Sequence, residues 1–305
     1  MSTPTLTTRA DEDRWIWKSF HYHSRTFSLA ARLLPRAVQL PIATLYLFCR
    51  RVDTIADQRV LDIGAERALD EVHTLKQHLN ATLAGHPPND DLLWRRLVEV
   101  HKQYSLDRAP LYELIDGAIW DLEDRPVESL DDLVDYSNLV GGSVGAMMLP
   151  FLLPDATRRD ELEPLARSLG IAMQITNILR DVGEDLDRLN RVYLPLNWLD
   201  SHTLSPDDLA APPLPDGYAS LLEVTMETAE ARYIESFDGI DALPFKMRIG
   251  IRSAARMYRE IMNEVRANDY DNLNHRAYVS LGRKLRLVIH DDYARRKARL
   301  LAHRR

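Results

Sequence analysis

Apolar residues recur along most of the chain at intervals of three and four. Leu40, Ala43, Leu47 and then Val52 mark one face, and Leu92, Leu93, Leu97 and Val100 mark another. This is the spacing of an amphipathic α-helix, whose side chains return to the same face every 3.6 residues. No stretch alternates apolar and polar residues as a half-buried strand does, and Asp116-Gly117 and Asp216-Gly217 lack the flanking apolar runs of a hairpin. Ser129 before Leu130-Asp131-Asp132 and Ser205 before Pro206-Asp207-Asp208 read as helix N-caps. Breaks fall at residues 85–89, 150–154 and 194–217. Helical patterning continues on both sides of the last break without a change of composition, which predicts one all-α domain with a long loop.

Composition narrows the class. A chain of 305 residues, 45% hydrophobic, can bury a substantial core. The single Cys49 excludes a disulfide scaffold and a cysteine zinc site and suits a reducing cytoplasm. The net charge of −7 argues against general nucleic-acid binding, but it is unevenly spread. Nine Lys/Arg and two Asp lie within 283–305, so that tail carries +7 and the body −14. The opening residues MSTPTLTTRADEDR contain no apolar core of a secretory signal. The longest uncharged stretch, 136–154, holds three glycines and two prolines and makes a poor membrane span. The expectation is a cytoplasmic protein. Its basic tail is either an exposed final helix or a peripheral contact with anionic lipid at the inner membrane face.

Asp-x-x-x-Asp occurs at Asp53/Asp57, Asp131/Asp135 and Asp181/Asp185. Residues four apart share a helix face, so each pair can present two carboxylates together. Such carboxylates repel unless a cation neutralises them, and hard oxygen donors suit Mg²⁺ shared with substrate phosphates. Asp131/Asp135 follows the Ser129 cap and reads as first-turn acid favouring the helix dipole. The other two pairs continue into stripes among apolar neighbours: Tyr46, Arg50, Asp53, Asp57, and Gln174, Asn177, Asp181, Asp185 with Arg180 beside them. A charged stripe leaving a buried helix is costly unless it lines a site. Metal ligands, an arginine able to fork onto phosphate oxygens and apolar residues beyond suit a diphosphate on a hydrocarbon chain. Gly141, Gly142 and Gly145 in LVGGSVGAMM suggest close helix crossing or a ligand against bare backbone, each glycine costing about 1 kcal/mol in a helix. His21 and His23 have no third partner and are assigned no zinc.

At this point the motifs resemble a known family. HSRTF (23–27), LYLFCRRVDTIAD (45–57), YSNLVGGSVG (136–145), QITNILRDVGED (174–185) and RVYLP (191–195) are similar in order and spacing to the squalene/phytoene synthases. These are head-to-head prenyl diphosphate synthases. The resemblance covers roughly 15–290 and places a flexible terminus at 1–14 and a basic tail at 291–305. It implies an all-α, single-domain isoprenoid-synthase helical bundle around a central cavity. It implies Mg²⁺, or Mn²⁺ in its place, at Asp53, Asp57, Asn177, Asp181 and Asp185. Substrate contacts would fall to Arg25, Tyr46, Arg50, Tyr136, Gln174, Asn177, Arg180 and Arg276, with Tyr258 beside the reacting groups. Three departures stand out: Thr54 where an acidic residue is usual, Ser137-Asn138 after Tyr136, and Gly141 in place of alanine.

Ala31 and Ala43 stand where farnesyl-using relatives resemble one another in carrying bulky aromatics, so the reading favours two geranylgeranyl diphosphates joined to phytoene without NADPH. The alternatives are a squalene or dehydrosqualene synthase on farnesyl diphosphate, one half of a two-enzyme squalene route, a single-substrate terpene cyclase, and a non-catalytic member acting in assembly. NADPH belongs only to the squalene reading. Expected partners are prenyl diphosphates, anionic membrane through the tail, and downstream pathway enzymes.

Overall fold

The computed structural model describes residues 8–201, 204–209 and 214–288, and among these there are helices and no strands. The helices are α1 (Arg9–His23), α2 (Arg25–Ala31), α3 (Arg36–Thr54), α4 (Val60–Ile63), α5 (Ala65–Leu83), α6 (Leu92–Tyr104) and α7 (Arg108–Leu122). After these come α8 (Leu130–Ser137), α9 (Ser143–Leu152), α10 (Ala156–Leu189), α11 (Leu196–Ser201), α12 (Tyr218–Ala242) and α13 (Phe245–Ala267). Residues 281–288 are also helical. Two π-helical turns interrupt the pattern, at Ile55–Arg59 directly after α3 and at Asn138–Gly142 directly before α9.

The sequence signals account for several boundaries. Ser129 accepts from the Asp132 N–H while Asp132 accepts from the Ser129 N–H, a reciprocal capping box that starts α8. Asp131 and Asp135 on that helix face solvent. At 205–209 the expected cap opens only a short 3₁₀ turn, Pro206–Leu209. Helix α1 begins at Arg9, within the stretch 1–14 expected to be a flexible terminus. Thr8 caps α1, Arg9 forks onto Glu99, and the buried Arg96 of α6 pairs with Glu12 and Asp13. These ion pairs order a segment whose polarity alone reads as a loose end. The basic tail 291–305 lies outside the described residues.

Among the described residues two large apolar cores form, with a small third cluster of Ala30, Ala254 and Met257 beside them. One joins α1, α3, α5, α6, α7 and α9; the other joins α8, α10, α12 and α13. They meet where α9 and its π-turn cross α10. A Cβ on Gly141 would sit 2.3 Å from the Gly170 carbonyl oxygen, and one on Gly145 would sit 2.1 Å from that of Ala166. The glycines therefore let two backbones touch, which is the helix-crossing reading of LVGGSVG. Between the two cores the helices leave a cavity.

Candidate functional site

The cavity has a volume of about 270 Å³ and is walled almost wholly by apolar side chains. From α3 it takes Ile42, Leu45, Tyr46, Cys49 and Asp53; from α10 it takes Leu162, Leu165, Ala166, Leu169, Gly170, Met173, Gln174 and Asn177. Each set follows the three-and-four step of one helix face, and each becomes polar at the same end. Asp53, Gln174 and Asn177 thus mark the mouth, while Leu152, Leu162 and Leu243 are among the apolar residues lining the remainder. Ala31 lines the cavity, together with Phe27 and Ala30 of α2. Ala43 is fully buried but is packed into the core around α3 and does not line the cavity. Of the two alanines read from sequence as setting depth, only Ala31 is placed to do so.

At the mouth the acidic stripes of α3 and α10 approach each other. Burial pushes the Asp53 carboxyl up to about 7, helped by Asp57 and opposed by Arg50. Asp185 is pushed up to about 8 by burial and then by Asp181 and Asp57, so carboxylates of both stripes feel one another. Asp57 is raised by burial against the pull of Arg191. This is the like-charge crowding that a cation relieves. No three carboxylates, histidines or cysteines already form a closed metal cage among the described residues. The donor set nevertheless fits hard divalent cations. Asn177 Oδ1 is buried without a hydrogen-bond partner, while its amide nitrogen donates to Gln174 Oε1 at 3.4 Å. A buried amide oxygen costs free energy until something coordinates or donates to it.

Basic groups interleave with the acids. Arg50 lies 3.9 Å from Asp53, Arg191 lies 3.6 Å from Asp57, and Arg276 lies 2.8 Å from Asp181 and 3.0 Å from Glu184. Arg180 forks onto Asp181 and also donates to the Tyr258 hydroxyl. Tyr258 stacks on Phe27 with centroids 4.8 Å apart, and Phe27 in turn lies 6.2 Å from Tyr46. Arg25 is exposed at the start of α2. Tyr136 is placed differently from the other expected contacts. It is buried, its hydroxyl donates to Asp121 Oδ2 at 3.1 Å, and its ring stacks on Tyr193.

Four groups with a place in this arrangement escape the sequence reading as site residues. Asp121 accepts from Tyr136 and, at 2.8 Å, from Tyr193; burial pushes it up to about 7 against the opposing pull of Arg191. Arg191 donates to the backbone oxygens of Ala56 and Asp121, so it ties the π-turn carrying Asp57 to α7. It can turn back because Asn190 ends α10 in the left-handed conformation (φ 52°), which asparagine tolerates. Lys284, nearly buried, donates to Thr26 Oγ1 at 2.8 Å. Its ammonium is lowered by burial and by the charges of Arg180 and Arg25, so three cations share one side of the mouth. Arg191 and Tyr193 lie within the RVYLP motif, whereas Asp121 sits in the charged run DLEDR and Lys284 among RKLR, where nothing in the spacing sets either apart from its neighbours.

A family model described as squalene/phytoene synthase matches residues 20–283. The phytoene synthase of Rhodobacter capsulatus is 37% identical over 273 residues, covering 87% of this chain and 76% of that protein. The 15-cis-phytoene synthase of Synechococcus elongatus is 33% identical over 276 residues, covering 86% of each chain. A crystal structure of a dehydrosqualene synthase in complex with ligand aligns with a TM-score of 0.83 at 30% identity, covering 94% of this chain and 97% of that one.

Proposed function

The chain belongs to the squalene/phytoene synthase family, and from that premise we propose that it joins two geranylgeranyl diphosphates head to head to give phytoene. The observation that carries the reading is an apolar cavity whose mouth holds two facing acidic stripes and the unpartnered Asn177 oxygen. The naming of relatives at 33–37% identity as phytoene synthases favours the C20 substrate over the farnesyl-using alternatives. No NADPH is needed, because the reaction ends in proton loss.

Asp53, Asp57, Asn177, Asp181 and Asp185 would hold divalent metal, Mg²⁺ or Mn²⁺. Such cations, when bound, withdraw charge from a leaving diphosphate. The chain's own cations act on the same oxygens. Arg50, Arg180, Arg276 and Arg25 ring the mouth where the first diphosphate departs and stabilise its growing charge. The apolar wall excludes water from the allylic cation. C1 of the ionised chain bonds to the C2=C3 double bond of the second substrate. Loss of a proton closes a cyclopropylcarbinyl diphosphate. The second diphosphate then leaves, the carbon skeleton rearranges, and loss of another proton leaves the C1–C1′ hydrocarbon. Tyr258, between Phe27 and Arg180, stands where apolar wall gives way to phosphate-binding groups and orients the reacting end. Asp121 with Tyr136 and Tyr193 supports Asp57 from below through Arg191.

Purified protein with Mg²⁺ and geranylgeranyl diphosphate is expected to yield phytoene by mass spectrometry. Asp53→Asn and Asp181→Asn are each expected to lower turnover at least a hundredfold while the circular dichroism of the fold is kept. Turnover of farnesyl diphosphate alone refutes the chain-length assignment, and wild-type rates in both variants refute the two-stripe mechanism.

A further inference from the structure

On the outer surface, α1 and the turn leading from α2 into α3 form a shallow groove lined by Arg14, Trp17, Lys18, Arg32 and Arg36. Arg14 is 3.6 Å from Asp11, and no carboxylate partner is found for Lys18, Arg32 or Arg36 among the described residues. The groove's own acid, Asp13, is already held by Arg96. The Arg32 guanidinium lies over the Trp17 ring at 5.8 Å, and Tyr22, on the same helix, is 68% exposed. What sets these cations apart is that they are gathered in one groove on a body that carries −14, and a basic patch on an acidic body biases the orientation in which the molecule meets a negative surface.

The position of the patch gives it a use. The same segments wall the cavity from inside through Phe20, Ala31 and Leu34, and the neighbours Ala31 and Arg32 face opposite sides of that wall. The barrier between cavity and groove is therefore a single layer of helix and turn. Resting on the reading that the product is a C40 hydrocarbon, we propose that this groove docks on an anionic lipid bilayer and sets this wall of the cavity against the membrane that receives the product. Arg32 over Trp17, with Lys18 and Arg36 in the same groove, suits a headgroup layer, where stems and rings lie in apolar surroundings and charges reach phosphate. A protein partner would instead be met by a contiguous apolar patch, and the groove offers Trp17 and Leu40 alone.

The test uses the full chain and flotation with phosphatidylcholine vesicles, with or without 30% phosphatidylglycerol. Each basic residue near an anionic surface contributes about fivefold to binding, so Lys18→Gln/Arg32→Gln/Arg36→Gln is expected to weaken binding to the anionic vesicles about 100-fold. Its turnover of detergent-dispersed geranylgeranyl diphosphate is expected to stay at the wild-type rate. A matched variant, Arg295→Gln/Arg296→Gln/Lys297→Gln, separates the tail from the groove. Binding of wild type to neutral vesicles as strongly as to anionic ones, no binding at all, a groove variant within threefold of wild type, or a tail variant that alone removes the affinity each overturns the proposal. Failure of the detergent assay to give phytoene from wild type counts against the functional reading and is scored separately from the vesicle result.

Discussion

Replacing Ala31 by Phe is expected to convert a C20-using enzyme into one restricted to C15. Asp53 and Tyr46 are seven residues apart on α3, about 10 Å at the helical rise, and Tyr46 packs beside Phe27. Ala31 lies one turn of α2 beyond Phe27, about 6 Å further. The two rises together put Ala31 on the order of 16 Å along the wall from the carboxylate end. With C–C bonds near 1.5 Å, an extended chain advances about 1.25 Å per bond, so a farnesyl chain reaches about 14 Å and a geranylgeranyl chain about 19 Å. Only the longer chain passes Ala31. A phenyl ring there closes the space used by the last isoprenoid unit, whose five carbons contribute about 4 kcal/mol of burial at about 0.8 kcal/mol each. That corresponds to roughly a thousandfold in kcat/KM for the C20 substrate. The assay is competition between labelled farnesyl and geranylgeranyl diphosphates, with the ratio of C30 to C40 hydrocarbon read by mass spectrometry. Ala43→Phe is the comparator. Buried in the core and off the cavity, it is expected to cost about 1–3 kcal/mol of stability by overpacking and to leave the product ratio unchanged. An Ala31→Phe enzyme that makes C40 product within fivefold of wild type refutes the depth argument, as does an Ala43→Phe enzyme with an equal change of product.

Three further outcomes follow from the same geometry. Gly170→Ala would place a methyl 2.0 Å from the Gly141 carbonyl oxygen, so a loss of at least about 2 kcal/mol in denaturant unfolding is expected; unchanged stability would show that the crossing can open. Asn177→Leu removes the unpartnered buried oxygen, so metal-free stability should hold or rise while the Mg²⁺ concentration for half-maximal turnover increases at least tenfold; an unaltered Mg²⁺ dependence counts against a ligand role. Asp53, Asp121 and Asp185 have carboxyls raised to about 7, 7 and 8. Groups raised on folding add stability at acid pH and lose it as pH climbs through those values. The melting temperature of metal-free protein should therefore fall between pH 6 and 8.5, and added Mg²⁺ should restore more at 8.5 than at 6. A Mg²⁺ shift of equal size at both pH values would contradict this.

The all-α class and the two acidic stripes are legible in the sequence because both rest on local spacing that one helix determines. Asp53, Asn177 and Asp181 needed only the three-and-four step and apolar neighbours. What the spacing misses comes from elsewhere in the chain. Asp121 reaches the mouth from α7, Arg191 from beyond the end of α10 and Lys284 from residues 281–288, each among other charged residues of its own segment that do not reach the mouth with it by any visible spacing. The glycine run is visible in the sequence, but Gly170, which completes the contact, is on another helix. Asp57 lies on a π-turn, so its offset from Asp53 includes a widening that a regular helix would not have. Ala43 shows how fine the register is, since its neighbour Ile42 lines the cavity and it does not.

The wall that α10 gives to the cavity is regular, with Leu162, Ala166, Leu169, Met173 and Asn177 each about one turn beyond the last. One turn advances 5.4 Å, and one extended isoprenoid unit advances about 5 Å. Helix and an extended isoprenoid chain are therefore nearly commensurate, so each rung of side chains can address one repeat of a hydrocarbon lying along α10. Such a scale can be read only in whole units. Altered product lengths should arise by adding or clearing one bulky side chain at a rung, in steps of five carbons, with the helix left unchanged. Because the two lattices drift by only a fraction of an ångström per repeat, a chain that slips by one unit still finds a rung beside each repeat. Register would then be held from the charged end, which would give the proposed diphosphate-binding residues a second task as the zero of the scale.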